Sequence, residues 1–379
     1  MSPALTRRLL AFHRWAGLLL SLNVLVFAVT GLILIFHEEI GEALAPVMEQ
    51  RAASEPMPLR DAIAMAQKKL PGTHAVFVSR ELEHPHQVFV GLGKDSRKLA
   101  DTQAIKVDLT TGNVDDRDFD DTFIGVVFHL HAQLMAGPIG GLLVGALGLA
   151  LLLTLITGAV IYGPMMKRFA FGVLRRDKHR RTLFADLHKL VGVSIFGWLS
   201  LVVATGILLS LGSILLQLYS QNELRALAKV DATQQLIEGL PVVDVAVASA
   251  EKSSGGRQWT IAILPGSDLS SPRHFSILMS GGSGIAKRLL RIALVDAANP
   301  SSASFHDFPL YLQALLISEP LHFGDYGGLP LKLLWALFTL ALIVLSATGV
   351  YTFFSGRRGL PDKLSLRAQS AAVPVEGAT

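Results

Sequence analysis

Four stretches of the chain, residues 15–36, 139–162, 190–211 and 331–354, stay apolar around the whole helical turn rather than along one stripe. Each runs for about 20 residues or more, the length an α-helix needs to cross a hydrocarbon core of about 30 Å. An all-round apolar helix of that length is stable where no water competes for it, so the pattern predicts four transmembrane helices.

Two segments of mixed polarity, 37–130 and 213–321, separate the first span from the second and the third from the fourth. In the first, "PLRDAIAMAQKKLPG" has a helical apolar period, while "HAVFVSREL", "HQVFVGLG" and "QAIKVDLTTGNV" alternate like strands. In the second, "PVVDVAVASAEKSSGG" is followed by "RQWTIAILPG", "RHFSILMSGG" and "RLLRIALVDAANPSS" in the same order. Each reads as a small α+β domain, one helix on a short antiparallel sheet.

The spans repeat as well. "HRWAGLLLSLNVLVFAVTG" from His13 and "HKLVGVSIFGWLSLVVATG" from His188 each place a glycine four residues after the histidine (Gly17, Gly192) and a threonine 17 residues after it (Thr30, Thr205). The runs from His131 and His322 each place a glycine six residues on (Gly137, Gly328) and a threonine 26 residues on (Thr157, Thr348). The chain is a tandem duplication. The expected organisation is an N-terminus and first span (1–36), a first α+β domain (37–130), a second span (131–163) and a basic loop (164–187). A third span (188–212), a second α+β domain (213–321), a fourth span (322–355) and a tail (356–379) complete it.

Composition agrees with a membrane protein: 51% hydrophobic and only 17% charged. The net charge of +4 is concentrated beside the spans, at Arg7, Arg8 and Arg14, at Arg357, Arg358 and Lys363, and in the loop "GPMMKRFAFGVLRRDKHRRTLFA", where seven Lys or Arg face the single Asp177. Positive flanks stay in the cytoplasm, so both termini and this loop are expected there, with the α+β domains in the periplasm. These flanks account for the charge without a nucleic-acid partner. The run after Arg14 is too long for a secretory h-region.

With no cysteine, the chain has no disulfide, iron–sulfur cluster, thiolate zinc site or covalent haem attachment. Histidines and carboxylates are the available ligands. Two tandem halves are related by an axis along the membrane normal, which puts His13 and His188 at one depth and His131 and His322 at another. Two neutral imidazoles facing each other across apolar helices suit the axial ligation of a b-type haem. Two such sites, near opposite faces, make an electron path. Gly17, Gly192, Gly137 and Gly328 are candidates for close approach of the porphyrin, and Arg14 is either a propionate partner or an interfacial cation. The Thr-Gly pairs read as small residues for helix packing.

Of the other histidines, His37 would correspond to Gly212 and His129 to Pro320, so neither has a repeat partner. His37 and His129 lie beside the periplasmic pair as alternative ligands, propionate partners, part of a substrate mouth, or without chemistry. His84 and His86 read as exposed loop and His179 as a solvated cation.

From "HRWAGL" at His13 to "TGVYTFF" ending at Phe354, the chain resembles the PepSY-associated transmembrane family, bacterial inner-membrane proteins of iron acquisition with PepSY-like periplasmic domains. Within it the chain is most similar to the ferrisiderophore reductases, which are haem proteins. The resemblance implies an oxidoreductase with two haem b groups, reducing a ferric siderophore, for instance a hydroxamate, in the periplasm. Fe(II) is the weaker guest for hard oxygen chelators, so reduction releases the metal. No GxGxxG follows a predicted strand, which leaves a membrane quinol or a separate reductase as electron donor. A quinone-linked cytochrome, or a haem-free module that anchors PepSY-like domains for a partner, is the alternative. A transporter fits less well, because the four predicted spans hold no acidic residue.

Overall fold

The computed structural model describes residues 2–44, 55–99, 101–166, 171–230, 234–282, 287 and 289–355. Arg357, Arg358, Lys363 and the tail 356–379 lie outside them, as do Lys167 and Arg168 of the basic loop. The first half runs α1 (Pro3–Ile35), α2 (His37–Leu44), α3 (Leu59–Lys69), β1 (His74–Arg80), β2 (Gln87–Gly93), β3 (Thr102–Asp108), β4 (Val114–Asp115), α4 (Phe123–Gln133) and α5 (Gly137–Met166). The second opens with α6 (Arg180–Ser210) and α7 (Gly212–Tyr219), which continues through a π turn (Ser220–Leu224) into α8 (Arg225–Leu227). It then runs α9 (Val243–Ser253), β5 (Trp259–Ile263), β6 (His274–Met279), β7 (Arg291–Asp296), β8 (Ala303–Asp307), α10 (Leu310–Phe323) and α11 (Gly328–Ser355).

Among the described residues four helices, α1, α5, α6 and α11, are long and apolar enough to cross a membrane. α1 packs against α5 and α11, and α6 packs against the same two, so α1 and α6 oppose each other across the bundle. Leu20 and Val24 of α1 meet Ile195, Leu199 and Val203 of α6 and Leu342 of α11 in a dry core. Leu19, Leu22 and Ile139 are at least 70% exposed, a surface that lipid rather than water accommodates. α6 begins ten residues before the predicted span, and its polar first turns are held by pairing: buried Asp186 accepts two bonds from the Arg175 guanidinium, each 2.8 Å.

The two α+β units are present and share one sheet. Its order is β4-β3-β2-β1-β5-β6-β7-β8, antiparallel throughout, with β1 and β5 joined by the pairs Phe77 with Ile263, Val78 with Ala262 and Ser79 with Ile261. Pairing these two strands removes one open edge from each half. Arg80 fastens the junction: Nη2 donates to Glu251 Oε1 at 2.6 Å, and the guanidinium lies 4.5 Å from the Trp259 ring centre. α3 and α9 cover one face, burying Ile63, Val90, Ile105, Val247, Phe275 and Ile277. Asp244 of α9 caps α3 across the repeat, accepting from the Leu59 and Arg60 amides.

α5 and α11 enclose the apolar runs 139–162 and 331–354 but not the histidines that open the expected segments 131–163 and 322–355. His131 and His322 stand in the last turns of α4 and α10, not at the heads of α5 and α11. Left-handed residues break each helix: Leu134, Met135 and Gly137 at the first, Gly324 and Gly328 at the second. Each histidine is therefore carried by a short helix whose direction is set independently of the span that follows.

Candidate functional site: two opposed histidine pairs

The fold brings the four repeat-related histidines together as two pairs. His13 of α1 and His188 of α6 face across the bundle with ring centres 6.4 Å apart and planes at 72°. His131 of α4 and His322 of α10 face each other at 6.2 Å and 72°, on the side of the sheet. Along α1, His13 and the Thr30 that contacts His131 are 17 residues apart, a rise of about 25 Å.

Each imidazole is held at Nδ1. His13 Nδ1 lies 2.9 Å from the Thr154 carbonyl, His188 Nδ1 3.0 Å from the Leu345 carbonyl, and His322 Nδ1 2.9 Å from the Val202 carbonyl. A carbonyl only accepts, so Nδ1 carries the hydrogen in these rings and Nε2 keeps its lone pair. His131 Nδ1 lies 2.9 Å from Thr30 Oγ1, whose own hydrogen goes to the Val26 carbonyl at 2.7 Å. That hydroxyl is left to accept from His131, giving the same tautomer.

The Thr-Gly pairs are the seats of these rings. Thr157, Thr348 and Thr205 each donate to the carbonyl three residues back, and that same carbonyl receives the imidazole N–H. The glycine after each threonine is four residues beyond that carbonyl, where a side chain leaning toward the helix N-terminus would shade the second lone pair. A Cβ would lie 2.8 Å from His13 at Gly158, 3.1 Å from His188 at Gly349, 3.2 Å from His131 at Gly31 and 3.0 Å from His322 at Gly206. Each Thr-Gly pair thus serves a histidine from another helix of its own half. Sequence reasoning took these pairs for generic packing; their identical spacing in both repeats was the available signal.

The glycines singled out from sequence have other roles. Gly137 and Gly328 take positive φ in the helix breaks, with nothing within 4 Å of an added Cβ. Gly192 meets Leu345 and Gly17 meets Thr154, both at the packing of neighbouring helices. Arg14 lies over the Phe353 ring at 5.4 Å.

The unrepeated histidines are engaged elsewhere. His129 shares α4 with His131 but lies two residues away, about 200° around the helix, and its Nε2 is 2.7 Å from Asp120 Oδ1. His37 Nδ1 bonds the Leu34 carbonyl at 2.9 Å. His84, His86 and His179 are exposed.

Two features had no forecast in the sequence. Buried Lys332, near the start of α11, donates to Glu38 at 2.6 Å and Glu39 at 3.0 Å, tying the fourth span to the helix that follows the first. Trp335 Nε1 donates to the His322 carbonyl at 3.2 Å, and the Trp335 ring meets Trp198 at 6.4 Å between the two pairs.

Residues 10–355 match the PepSY-associated TM region. The chain is also similar to PA4219 of Pseudomonas aeruginosa, a protein described as uncharacterized, at 24% identity over 258 residues. That match covers 63% of this chain and 65% of the relative, so it spans just under two thirds of that protein's length. The family match takes in the four long helices except the first residues of α1, together with the shared sheet and all four paired histidines, and the chain belongs to the PepSY-associated transmembrane family.

Proposed function

We propose that this protein is a di-haem b reductase of the bacterial inner membrane that passes electrons to ferric siderophores in the periplasm. The observation that carries this reading is the separation of the paired rings. A metal–imidazole bond is about 2.0 Å and the nitrogen lies about 1.1 Å from its ring centre, so two imidazoles sharing one ion from opposite sides would stand with centres about 6.2 Å apart. The measured separations are 6.4 and 6.2 Å. The donor set also fits, since Nδ1 is committed in each ring and Nε2 keeps the lone pair.

His13 and His188 would hold one haem, His131 and His322 the other, and each haem supplies one-electron exchange when bound. Thr154, Leu345 and Val202 fix the rings through their carbonyls. Gly158, Gly349, Gly31 and Gly206 leave room for the rings. The apolar side chains between the pairs exclude water, which suits electron transfer without accompanying protons. The basic flanks favour the cytoplasm for the His13–His188 end and the periplasm for the sheet.

The test is a visible spectrum of the detergent-purified protein, oxidised and then reduced by dithionite, followed by anaerobic addition of a ferric hydroxamate with ferrozine present. Two low-spin haem b equivalents, reoxidation by the chelate and trapped Fe(II) are expected. Absence of haem in protein from iron-replete cells would leave the anchoring module. A protein that stays reduced with several ferric siderophores yet reoxidises with a quinone would be a quinone-linked cytochrome.

A further inference from the structure

Where α7 passes through its π turn, Tyr219 and Glu223 come against Tyr311 of α10, beneath the second half of the sheet. Tyr219 is 3% exposed and packs with Leu224, Ile292, Leu294, Phe308 and Leu312. Among the described residues its hydroxyl has no hydrogen-bond partner, and the same holds for the Tyr311 hydroxyl and one carboxylate oxygen of Glu223, all three atoms being closed to solvent. Leaving a buried polar group unpaired is costly, so three in one place point to something the chain itself does not supply. π turns concentrate at functional sites for a related reason: they interrupt the regular helix to place a side chain.

The three groups sense one another. Burial raises the Tyr219 phenol most, with Glu223 and Tyr311 adding to it. Burial, then Glu223, pushes the Tyr311 phenol up to about 12. The Glu223 carboxylate acts on Tyr311 both at short range and through its charge.

We propose that Tyr219, Glu223 and Tyr311 form a binding site for ferric iron. Two phenolates and a carboxylate are hard oxygen donors, the class a small, highly charged cation prefers. Their combined charge of three negatives neutralises Fe(III), so the filled site carries no net charge into an apolar pocket. Calcium and magnesium polarise a ligand too weakly to displace protons from buried phenols; a trivalent ion does so. Binding forms two Fe–phenolate bonds and one Fe–carboxylate bond and releases two protons. A one-electron reductant, dithionite in the test, converts the ion to Fe(II), and the phenols regain the two protons as it leaves. Tyr311 lies 11 residues before His322 on α10, a rise of about 16 Å, so the site is close to the sheet-side pair. The ligand class follows from the donor atoms alone; the use of the site in iron acquisition depends on the proposed function.

The test adds ferric nitrilotriacetate to the full-length protein in detergent and records electron paramagnetic resonance and resonance Raman spectra. One equivalent of rhombic high-spin ferric signal with tyrosinate vibrations is expected, well separated from low-spin bis-histidine haem. Tyr219→Phe and Tyr311→Phe should each abolish it, and apparent affinity should rise with pH. Both substitutions delete an unpaired buried hydroxyl, so thermal stability should hold or improve. The proposal is overturned if the wild type takes up no iron, if the signal survives in the double variant, or if zinc or calcium competes at equal concentration. Absence of the ferric signal in the wild-type protein with chelate reduction intact would sink this site and leave the reductase standing. The converse result would do the opposite.

Discussion

His13 and Gly158 meet so closely that a methyl group at the glycine would lie 2.8 Å from the imidazole Cε1. Gly158→Ala should therefore displace His13, and Gly206→Ala, at 3.0 Å from His322, should displace the sheet-side pair. The expected outcome is loss or spectral change of one haem in each variant with the other unaltered. Gly41→Ala, with nothing within 4 Å, is the control. Unchanged haem spectra in both variants would show that these seats do not position the ligands.

Replacing His188 with Ala should remove about one haem equivalent and leave the second spectrum intact, with the mirror result for His322→Ala. His37→Ala and His129→Ala should retain both, because His37 bonds the Leu34 carbonyl and His129 bonds Asp120. Haem-to-protein ratios measured by pyridine haemochrome decide it. Loss of a haem in His129→Ala with none lost in His322→Ala would contradict the pairing.

The Lys332 cluster should respond asymmetrically. The lysine is buried while the side chains of Glu38 and Glu39 are about half exposed. Lys332→Met removes the buried charge and leaves carboxylates that water can reach, so stability should change by less than about 1 kcal/mol. Glu38→Gln with Glu39→Gln strands the ammonium and should cost up to about 3 kcal/mol. Thermal unfolding in detergent compares the two, and equal losses would refute the asymmetry.

The sheet should weaken in mild acid through His274 on β6. Burial lowers its pKa below the ordinary 6.5, with Asp296 opposing and Arg273 reinforcing the shift. The folded state thus prefers the neutral ring, whose Nδ1 lies 2.9 Å from Ser271 Oγ. Its contribution is complete above pH 6.5 and is lost as pH falls through the lower folded-state value. His274→Gln should flatten the decline in melting temperature between about pH 7 and 5. An unchanged slope would assign the decline to other groups.

The sequence by itself determined the four spans, the order of strands and helices, the duplication and the four repeat-related histidines. These features are written in local periods and fixed spacings: α1 contains both His13 and the Thr-Gly that receives His131, and α6 repeats the arrangement. Only the tertiary structure decided what those spacings are for. The bond from His13 to the Thr154 carbonyl joins residues 141 apart, and no pattern along one helix reveals which carbonyl of another stands open. The breaks between His131 and α5 and between His322 and α11 were invisible for a similar reason. Leu134 and Met135 are apolar and read as helix, yet their left-handed backbone ends α4. The joining of the two half-sheets was equally invisible, since alternation along β1 and β5 identifies strands but carries no record of their neighbours. Lys332 and Glu38, 294 residues apart, met for the same reason that the histidines did: packing brings the ends of antiparallel spans together, and charge buried there finds its partner in space rather than in sequence.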